Sequence, residues 1–177
     1  INDRDFVVVG SSPEELLSKG FVSVGNHFPV FLHPETREEY ALARQEISTG
    51  ISSSEFKFKI QDVSLEEDLL RRDLTINAMA QDENGNIIDP FNGLTDLKNK
   101  VIRHVSIAFK EDPLRIFRVA RFASQLNFNV AQETIKLMQE MVGDGLTKNI
   151  PIERIKKEFD KALLSNNFQR FLDILFK

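Results

Sequence analysis

Two aspartates near the start of the chain have the spacing of a metal-binding pair. Asp3 and Asp5 are two residues apart at the edge of an apolar segment, so on a β-strand their carboxylates would point to the same face. Oxygen ligands of this kind bind hard cations such as magnesium, and a carboxylate pair suits two-metal phosphoryl transfer. Glu39, Glu46 and Asp62 are candidates for a third carboxylate, and the sequence does not choose among them. The competing interpretation is a solvated turn before a strand, because Asp-x-Asp is a common pattern.

A second charged group lies in the run from Arg71 to Ala78, where two arginines and an aspartate precede an apolar stretch. Arg72 could hold a phosphate through two parallel hydrogen bonds, and Asp73 could accept a hydrogen bond from a ribose hydroxyl. Asn77 follows Asp73 by four residues and would share its face of a helix. A surface salt-bridge cluster at a helix end is the alternative.

The hydrophobic pattern predicts an α+β fold, with a mixed β-sheet and helices followed by an all-α module. Predicted strands cover residues 5–9, 21–24, 30–33, 39–45, 56–60, 87–89 and 101–105. Predicted helices begin at Ser12 and at Ser64, the second running toward Ala80, and further helices are predicted at 94–99, 113–125, 131–142, 151–164 and 167–176. The strand signal ends after residue 109, and we predict two domains, 1–105 and 106–177.

The composition narrows the class of protein. Of the 177 residues, 41% are hydrophobic, which is enough to form a core without disulfides or metals. The absence of cysteine excludes Cys-based zinc sites and fits a reducing compartment such as the cytoplasm. No apolar run approaches the roughly 18 residues of a membrane helix, so no membrane partner is expected. The formal net charge of -4 argues against a general nucleic-acid coat but is compatible with a local basic cleft.

Six segments, in register over nearly the whole chain, resemble the class II tRNA nucleotidyltransferases, the CCA-adding enzymes, of the bacterial type. They are Asp3–Gly10, Phe28–Pro34, Glu39–Arg44, Arg71–Ala78, Ile88–Gly93 and Glu111–Phe122. The resemblance implies a nucleotidyltransferase head at 1–105 and a helical neck at 106–177. It also implies an enzyme that adds C, C and A to the 3′ end of tRNA from CTP and ATP, without a nucleic-acid template and with magnesium as cofactor.

The resemblance also assigns roles to individual residues. It implies that Asp3 and Asp5 bind the catalytic magnesium ions. The implied nucleotide-binding residues are Arg72, Asp73, Asp112, Arg115, Arg118 and Arg121. The polar loop 47–55 would be the mobile loop that helps the switch from C to A addition, with a simple connector as the alternative.

One family element does not occur in these residues. It is a Gly-Gly-x-Val-Arg-Asp segment just before the Asp-x-Asp strand, which holds the triphosphate. Because the chain begins at Ile1 rather than Met, we expect that its true start is missing. We expect a chain without that element to be inactive or nearly so.

Asp112 and Arg115 could select the base without a template. Cytosine and adenine each present an amino donor beside a ring-nitrogen acceptor, which complements an Asp acceptor beside an Arg donor. Guanine and uracil present the reverse pattern, and unpaired buried polar groups cost roughly 1–3 kcal/mol each, so both should be rejected. The alternative for Asp112 is that it only caps a helix, because Pro113 follows it.

Helix geometry separates Arg121 from the other nucleotide-binding residues of this helix. Side chains three residues apart on a helix rotate by about 60° at each step, so Arg115 and Arg118 can face one cleft, whereas Arg121 needs a long reach or a bend. The alternative is a salt bridge from Arg121 to the head.

Two other functions compete with CCA addition. A bacterial poly(A) polymerase shares the head and neck, but that branch usually has two basic residues after the glycine that here is Gly25, where this chain has Asn26 and His27. The other candidate is a nucleotide- or tRNA-binding module without turnover. The presence of Asp3 and Asp5 argues against this alternative, because a module that had lost turnover would not need to keep its metal ligands.

Overall fold

The structure is a computed structural model that describes residues 4–24, 30–48, 56–60 and 62–177, with the backbone alone for 45–48 and 56–58. The chain forms two compact units, residues 1–69 and 70–177. The functional boundary at 105/106 stays a prediction. None of the helices formed by the described residues is long and apolar enough to cross a membrane.

The first unit is built around a four-stranded mixed sheet with the strand order β1-β4-β3-β2. Its strands are β1 (Asp5–Val8), β2 (Val22–Ser23), β3 (Val30–Leu32) and β4 (Glu39–Leu42), and a separate hairpin consists of β5 (Gln45–Ser48) and β6 (Phe56–Lys59). Strand β1 is parallel to β4, whereas β3 is antiparallel to both β4 and β2. The sequence prediction of a mixed sheet is therefore confirmed.

Helix α1 (Pro13–Ser18) covers this sheet and begins as its sequence predicts. The Ser12 hydroxyl accepts a hydrogen bond from the backbone N–H of Glu15 at 3.2 Å, and proline occupies the first turn. Leu16 of this helix is buried against Phe31 and Leu42 of the sheet. Helix α2 (Leu65–Leu70) follows the hairpin.

The second unit combines two small strand pairs with five α-helices and three short 3-10 helices. The strands are β7 (Ala80–Gln81), β8 (Ile87–Ile88), β9 (Val101–Ile102) and β10 (Asn129–Val130), and the helices are α3 (Gly93–Asn99), α4 (Arg115–Leu126), α5 (Gln132–Gly143), α6 (Ile152–Leu163) and α7 (Phe168–Leu175). One continuous core joins Leu74, Phe109 and Ile102 to Val119, Met141 and Phe171. The α+β fold class is confirmed, and the four helices predicted beyond residue 109 are all present.

The long helix predicted from Ser64 toward Ala80 is wrong in its second half. The helix ends at Leu70, and Thr75–Asn77 forms a short 3-10 helix instead. The backbone of this segment hydrogen-bonds to residues 103–105: the Thr75 N–H donates to the Arg103 carbonyl at 2.9 Å, and the Val105 N–H to the Asp73 carbonyl at 3.3 Å. This long-range pairing outweighs the local helical preference.

Three other boundaries also differ from prediction. Strand β9 ends at Ile102 and is not the last strand, because β10 pairs with it in parallel; a two-residue strand is too short to leave a hydrophobic period. The segment predicted as one strand over 39–45 is two, β4 and β5. The predicted loop 47–55 begins later than expected, since Ile47 and Ser48 belong to β5, and residues 49–55 lie outside the described residues.

Candidate functional site

Asp5 lies at the exposed start of β1, one of the two edge strands of the four-stranded sheet formed by the described residues. In the parallel pairing of β1 with β4, Asp5 is opposite Glu39, which is also exposed. Paired positions on neighbouring strands point to the same face and are about 4.8 Å apart. Asp5 and Glu39 therefore form a carboxylate pair suited to a hard cation. Asp3, the other predicted ligand, lies outside the described residues.

The structure separates the three candidates for the third carboxylate. Glu39 is beside Asp5. Only the backbone of Glu46 is among the described parts of the structure. Asp62 lines a cavity of about 350 Å³ together with Gly10 and Glu15. That cavity lies beyond the other end of β1, roughly 10 Å or more from Asp5. Glu39 is thus the best placed, although no group of three or more acidic or histidine side chains within the described residues is arranged to hold a metal ion.

Asp73 and Arg118, both predicted to bind nucleotide, contact each other. The Asp73 Oδ2 atom accepts hydrogen bonds from Arg118 Nε and Nη2, each at 2.7 Å, and Asp73 Oδ1 accepts one from the Asn77 amide at 3.2 Å. Burial acts to raise the pKa of the Asp73 carboxyl, but the charge and hydrogen bonds of Arg118, helped by Asn77, outweigh it and lower that pKa below its usual value. The contact of Asn77 with Asp73 was expected from a helix, yet it arises within a 3-10 turn.

Arg72 belongs to the same segment. Its Nη1 atom donates to the backbone carbonyl of Asn77 at 3.2 Å, and the residue is half-buried. The turn at Thr75–Asn77 therefore orients both the Arg72 guanidinium and the Asp73 carboxylate, the two groups predicted to hold phosphate and sugar.

Asp112 uses both carboxylate oxygens. Its Oδ1 atom accepts a hydrogen bond from the backbone N–H of Leu114 at 3.1 Å, and its Oδ2 atom accepts one from Arg154 Nη2 at 2.8 Å. The prediction that Asp112 is the N-cap of the following helix is wrong in detail, because α4 begins at Arg115 and its cap position is Leu114. Proline at 113 forms a preceding turn, and Asp112 caps that turn.

Arg115 is 8% exposed. Its Nη1 atom donates to the Ala108 carbonyl at 2.8 Å and its Nη2 atom to the Arg71 carbonyl at 2.7 Å. Asp112 and Arg115 are therefore in one turn, but their side chains have different partners. The guanidinium links the start of α4 to the Arg71 backbone and so fixes the turn that carries Asp112.

Arg121 is buried and lies between two helices of the second unit. Its Nε atom donates to Glu158 Oε2 on α6 at 2.5 Å, and its Nη1 atom donates to Gln125 at 2.7 Å. The Phe122 ring lies 3.9 Å from the guanidinium carbon. The salt bridge considered from the sequence is present, but its partner is in the helical part of the chain rather than in the predicted head. The nucleotide contact of Arg121 stays a prediction.

Sequence reasoning missed two residues that hold this region together, Arg154 and Glu158. They are four residues apart on α6 and so share the face that meets α4 and the turn before it. Opposite charges four residues apart are visible in the sequence, but this spacing is normally interpreted as an ion pair within one helix rather than as two contacts with a neighbouring helix. Three lysines of the same helix, at 156, 157 and 161, are exposed.

Comparison with known proteins gives two family models and a set of solved structures. Residues 2–103 match the poly A polymerase head domain, and residues 127–177 match a probable RNA and SrmB-binding site of polymerase A. A solved tRNA-processing enzyme in its apo form is 36% identical, with a TM-score of 0.72, and the match covers 96% of this chain and 45% of that one.

Two further structures were solved with ligands. The Bacillus stearothermophilus CCA-adding enzyme in complex with CTP is 31% identical with a TM-score of 0.76, over 97% of this chain and 42% of that one. A tRNA nucleotidyltransferase complexed with a primer tRNA and an incoming ATP analog is 36% identical with a TM-score of 0.67, over 92% of this chain and 46% of that one. The chain thus spans less than half the length of these proteins.

Proposed function

The chain belongs to the poly(A) polymerase head-domain family of nucleotidyltransferases, and we propose that it carries the head and neck of an enzyme that adds C, C and A to the 3′ end of tRNA. The substrates are CTP, ATP and tRNA, and the proposed location is the cytoplasm. The observation that carries the proposal is the likeness to solved enzymes that hold CTP or primer tRNA.

The proposed metal ligands are Asp3, Asp5 and Glu39. Asp5 and Glu39 fit the role because they are exposed, in register and on one face of the sheet, and because carboxylate oxygens are the ligands that magnesium prefers. When bound, magnesium supplies activation of the attacking 3′ hydroxyl and charge neutralisation at the leaving pyrophosphate. The exposed edge position of Asp5 leaves its carboxylate accessible for this role.

Base selection is assigned to the Asp112 carboxylate. An ionised carboxylate only accepts hydrogen bonds, so it favours the amino groups of cytosine and adenine and leaves the carbonyls of uracil and guanine unpaired. Arg115 supplies the neighbouring donor. A guanidinium has five N–H groups, and the two that donate to the Ala108 and Arg71 carbonyls hold it in place without exhausting its donors.

Arg72, Asp73 and Arg118 are proposed to position the sugar and phosphates. The ion pair between Asp73 and Arg118 holds both side chains in a fixed orientation before the nucleotide arrives. Such preorganisation reduces the entropy lost on binding. Arg121 acts one helical turn further along and is proposed to support α4 through Glu158.

The length of the product on tRNA that lacks its CCA end tests the proposal. The full-length gene product, incubated with magnesium, CTP and ATP, should add three nucleotides in the order C, C, A and then stop. Long tails of A would instead indicate a poly(A) polymerase, and nucleotide binding without any incorporation by folded protein would indicate a binding module.

A further inference from the structure

We propose that Arg154 is a positioning residue that sets nucleotide selectivity by holding the Asp112 carboxylate. The inference rests on the proposed function, in which Asp112 reads the base. Arg154 touches neither the reacting atoms nor, on this account, the nucleotide itself. It acts through Asp112.

The contacts of Asp112 carry the argument. The backbone N–H of Leu114 donates to Oδ1 at 3.1 Å and Arg154 Nη2 donates to Oδ2 at 2.8 Å. One contact alone would leave the carboxylate free to turn about its terminal bond, which is a soft torsion. Two contacts, one on each oxygen, fix the plane of the carboxylate and hence the direction in which its remaining lone pairs point.

The hydrogen-bonding capacity of Oδ2 allows Arg154 to stay bound while a base is read. A carboxylate oxygen has two lone-pair sites, so Oδ2 can accept from Arg154 and from the amino group of cytosine or adenine together. The carbonyl of uracil or guanine would face the fixed Asp112 carboxylate, so two acceptors would meet without a hydrogen bond between them. Selectivity therefore depends on the rigidity of this carboxylate as well as on its charge.

The helix that carries Arg154 is itself anchored. One turn further along α6, Glu158 accepts the Arg121 hydrogen bond, and both side chains are buried. This pair ties α6 to α4, so the backbone of Arg154 is held at a fixed distance from the turn that contains Asp112. By contrast, Arg154 and Asp112 are 48% and 31% exposed at the side chain, and an ion pair so exposed contributes little to folding stability.

The test compares Arg154→Ala with Lys156→Ala in the full-length gene product. Lys156 is on the same helix, and its exposed pair with Asp160 has no link to Asp112. Two selectivity ratios are measured. The first is kcat/KM for CTP divided by kcat/KM for UTP, on tRNA lacking CCA. The second is kcat/KM for ATP divided by kcat/KM for GTP, on tRNA ending in CC. We expect Arg154→Ala to lower both ratios roughly tenfold or more, as for loss of one hydrogen bond to a charged group, and Lys156→Ala to leave them unchanged.

Two further variants separate positioning from folding. Arg154→Lys keeps the charge without the planar fork and should recover part of the ratio. In an Asp112→Asn background, Arg154→Ala should cause no further loss, because the group it positions is already altered. An equal fall in kcat/KM for all four nucleotides, with a lowered Tm, would show a structural role only and would overturn the inference.

The outcomes also distinguish this inference from the proposed function. If the wild-type protein adds C, C and A but Arg154→Ala keeps the wild-type ratios, only the inference fails. If the wild-type protein adds no nucleotide, the proposed function fails and the inference falls with it.

Discussion

Arg121 and Glu158 form a buried ion pair between α4 and α6, with Nε and Oε2 2.5 Å apart and both residues at most 6% exposed. The guanidinium also donates to Gln125 and lies over the Phe122 ring. Because two charges are removed from water here, each depends on the other. The pair fixes the packing of the two helices that carry Arg115 and Arg154.

Breaking this ion pair should be strongly destabilising. Glu158→Ala leaves the Arg121 charge buried without its counterion, and the free energy of unfolding should fall by about 3–5 kcal/mol. Urea denaturation followed by circular dichroism measures the change. Lys156→Ala, which removes an exposed pair on the same helix, should change it by no more than about 0.5 kcal/mol. Similar effects of the two variants would contradict the structural role given to the buried pair.

Arg118→Met should raise the pKa of Asp73. In the wild-type protein the pKa of this carboxyl is lowered although burial opposes the shift, because Arg118 and Asn77 outweigh burial. Without Arg118, the hydrogen bond from Asn77 and the charge of Arg115 remain against the effect of burial, so the pKa should rise from its wild-type value. Carbon-detected NMR titration of the carboxyl measures it. Asp82, whose pKa is lowered chiefly by its hydrogen bonds to Asn86, is the internal control and should not move.

The same group gives a pH dependence of stability. A carboxyl whose folded-state pKa is lowered stabilises the fold above its unfolded pKa of about 3.9, and that contribution is lost as the pH falls through the folded-state value. The wild-type protein should therefore lose the Asp73 contribution only in acid below about pH 4. In Arg118→Met the folded-state pKa of Asp73 is higher, so the stabilisation from its ionisation should be smaller and should be lost at a higher pH.

Gly93 and Gly143 form a matched pair for testing how α3 packs. A Cβ atom at Gly93 would lie 2.3 Å from the Thr75 carbonyl oxygen and 2.9 Å from Met79, whereas one at Gly143 would meet nothing within 4 Å. Gly93→Ala should lower the free energy of unfolding by about 1–3 kcal/mol through overpacking. Gly143→Ala, at the end of α5, should be neutral or stabilising by up to about 1 kcal/mol. If both variants changed the free energy of unfolding equally, α3 would not lie as close to the turn at Thr75 as the structure has it.

Asp5→Ala should remove turnover without unfolding the protein. The side chain is exposed at the start of an edge strand, so its loss leaves the core intact, whereas loss of a metal ligand should lower kcat by about 10³-fold or more. Incorporation of labelled CTP into tRNA lacking CCA measures turnover, and Asp82→Ala, in an exposed turn, is the control. If Asp5→Ala kept its activity at the magnesium concentration used for the wild-type protein, Asp5 would not be a ligand of the proposed metal site.

The sequence predicted those elements whose signals are local. Ser12, Pro13 and the glutamates that follow mark α1 because capping acts within one turn, and the helices after residue 109 have an amphipathic period that tertiary contacts reinforce. The fate of residues 71–80 could not be predicted in this way. Their backbone partners are at 103–105, and no local pattern specifies a partner some thirty residues away.

The candidate site shows the same contrast. Residue types, spacing and the family resemblance together indicated Asp5, Asp73, Asp112 and Arg118, but some of the partners of these side chains come from distant parts of the chain. Arg154 reaches Asp112 from 42 residues away and Glu158 reaches Arg121 from 37. Whether a charged side chain serves a ligand or a neighbour depends on such long-range packing, which the sequence of one protein does not reveal.

Competition among the four nucleotides tests the central claim most directly. Full-length wild-type protein and Asp112→Asn should each be given labelled CTP, ATP, GTP and UTP with magnesium and tRNA lacking its CCA end. We predict that the wild-type protein adds two C and one A and rejects G and U, and that Asp112→Asn loses much of this discrimination, because an amide presents a donor as well as an acceptor. Unchanged discrimination in Asp112→Asn, or incorporation of G and U by the wild-type protein, would contradict base reading by Asp112.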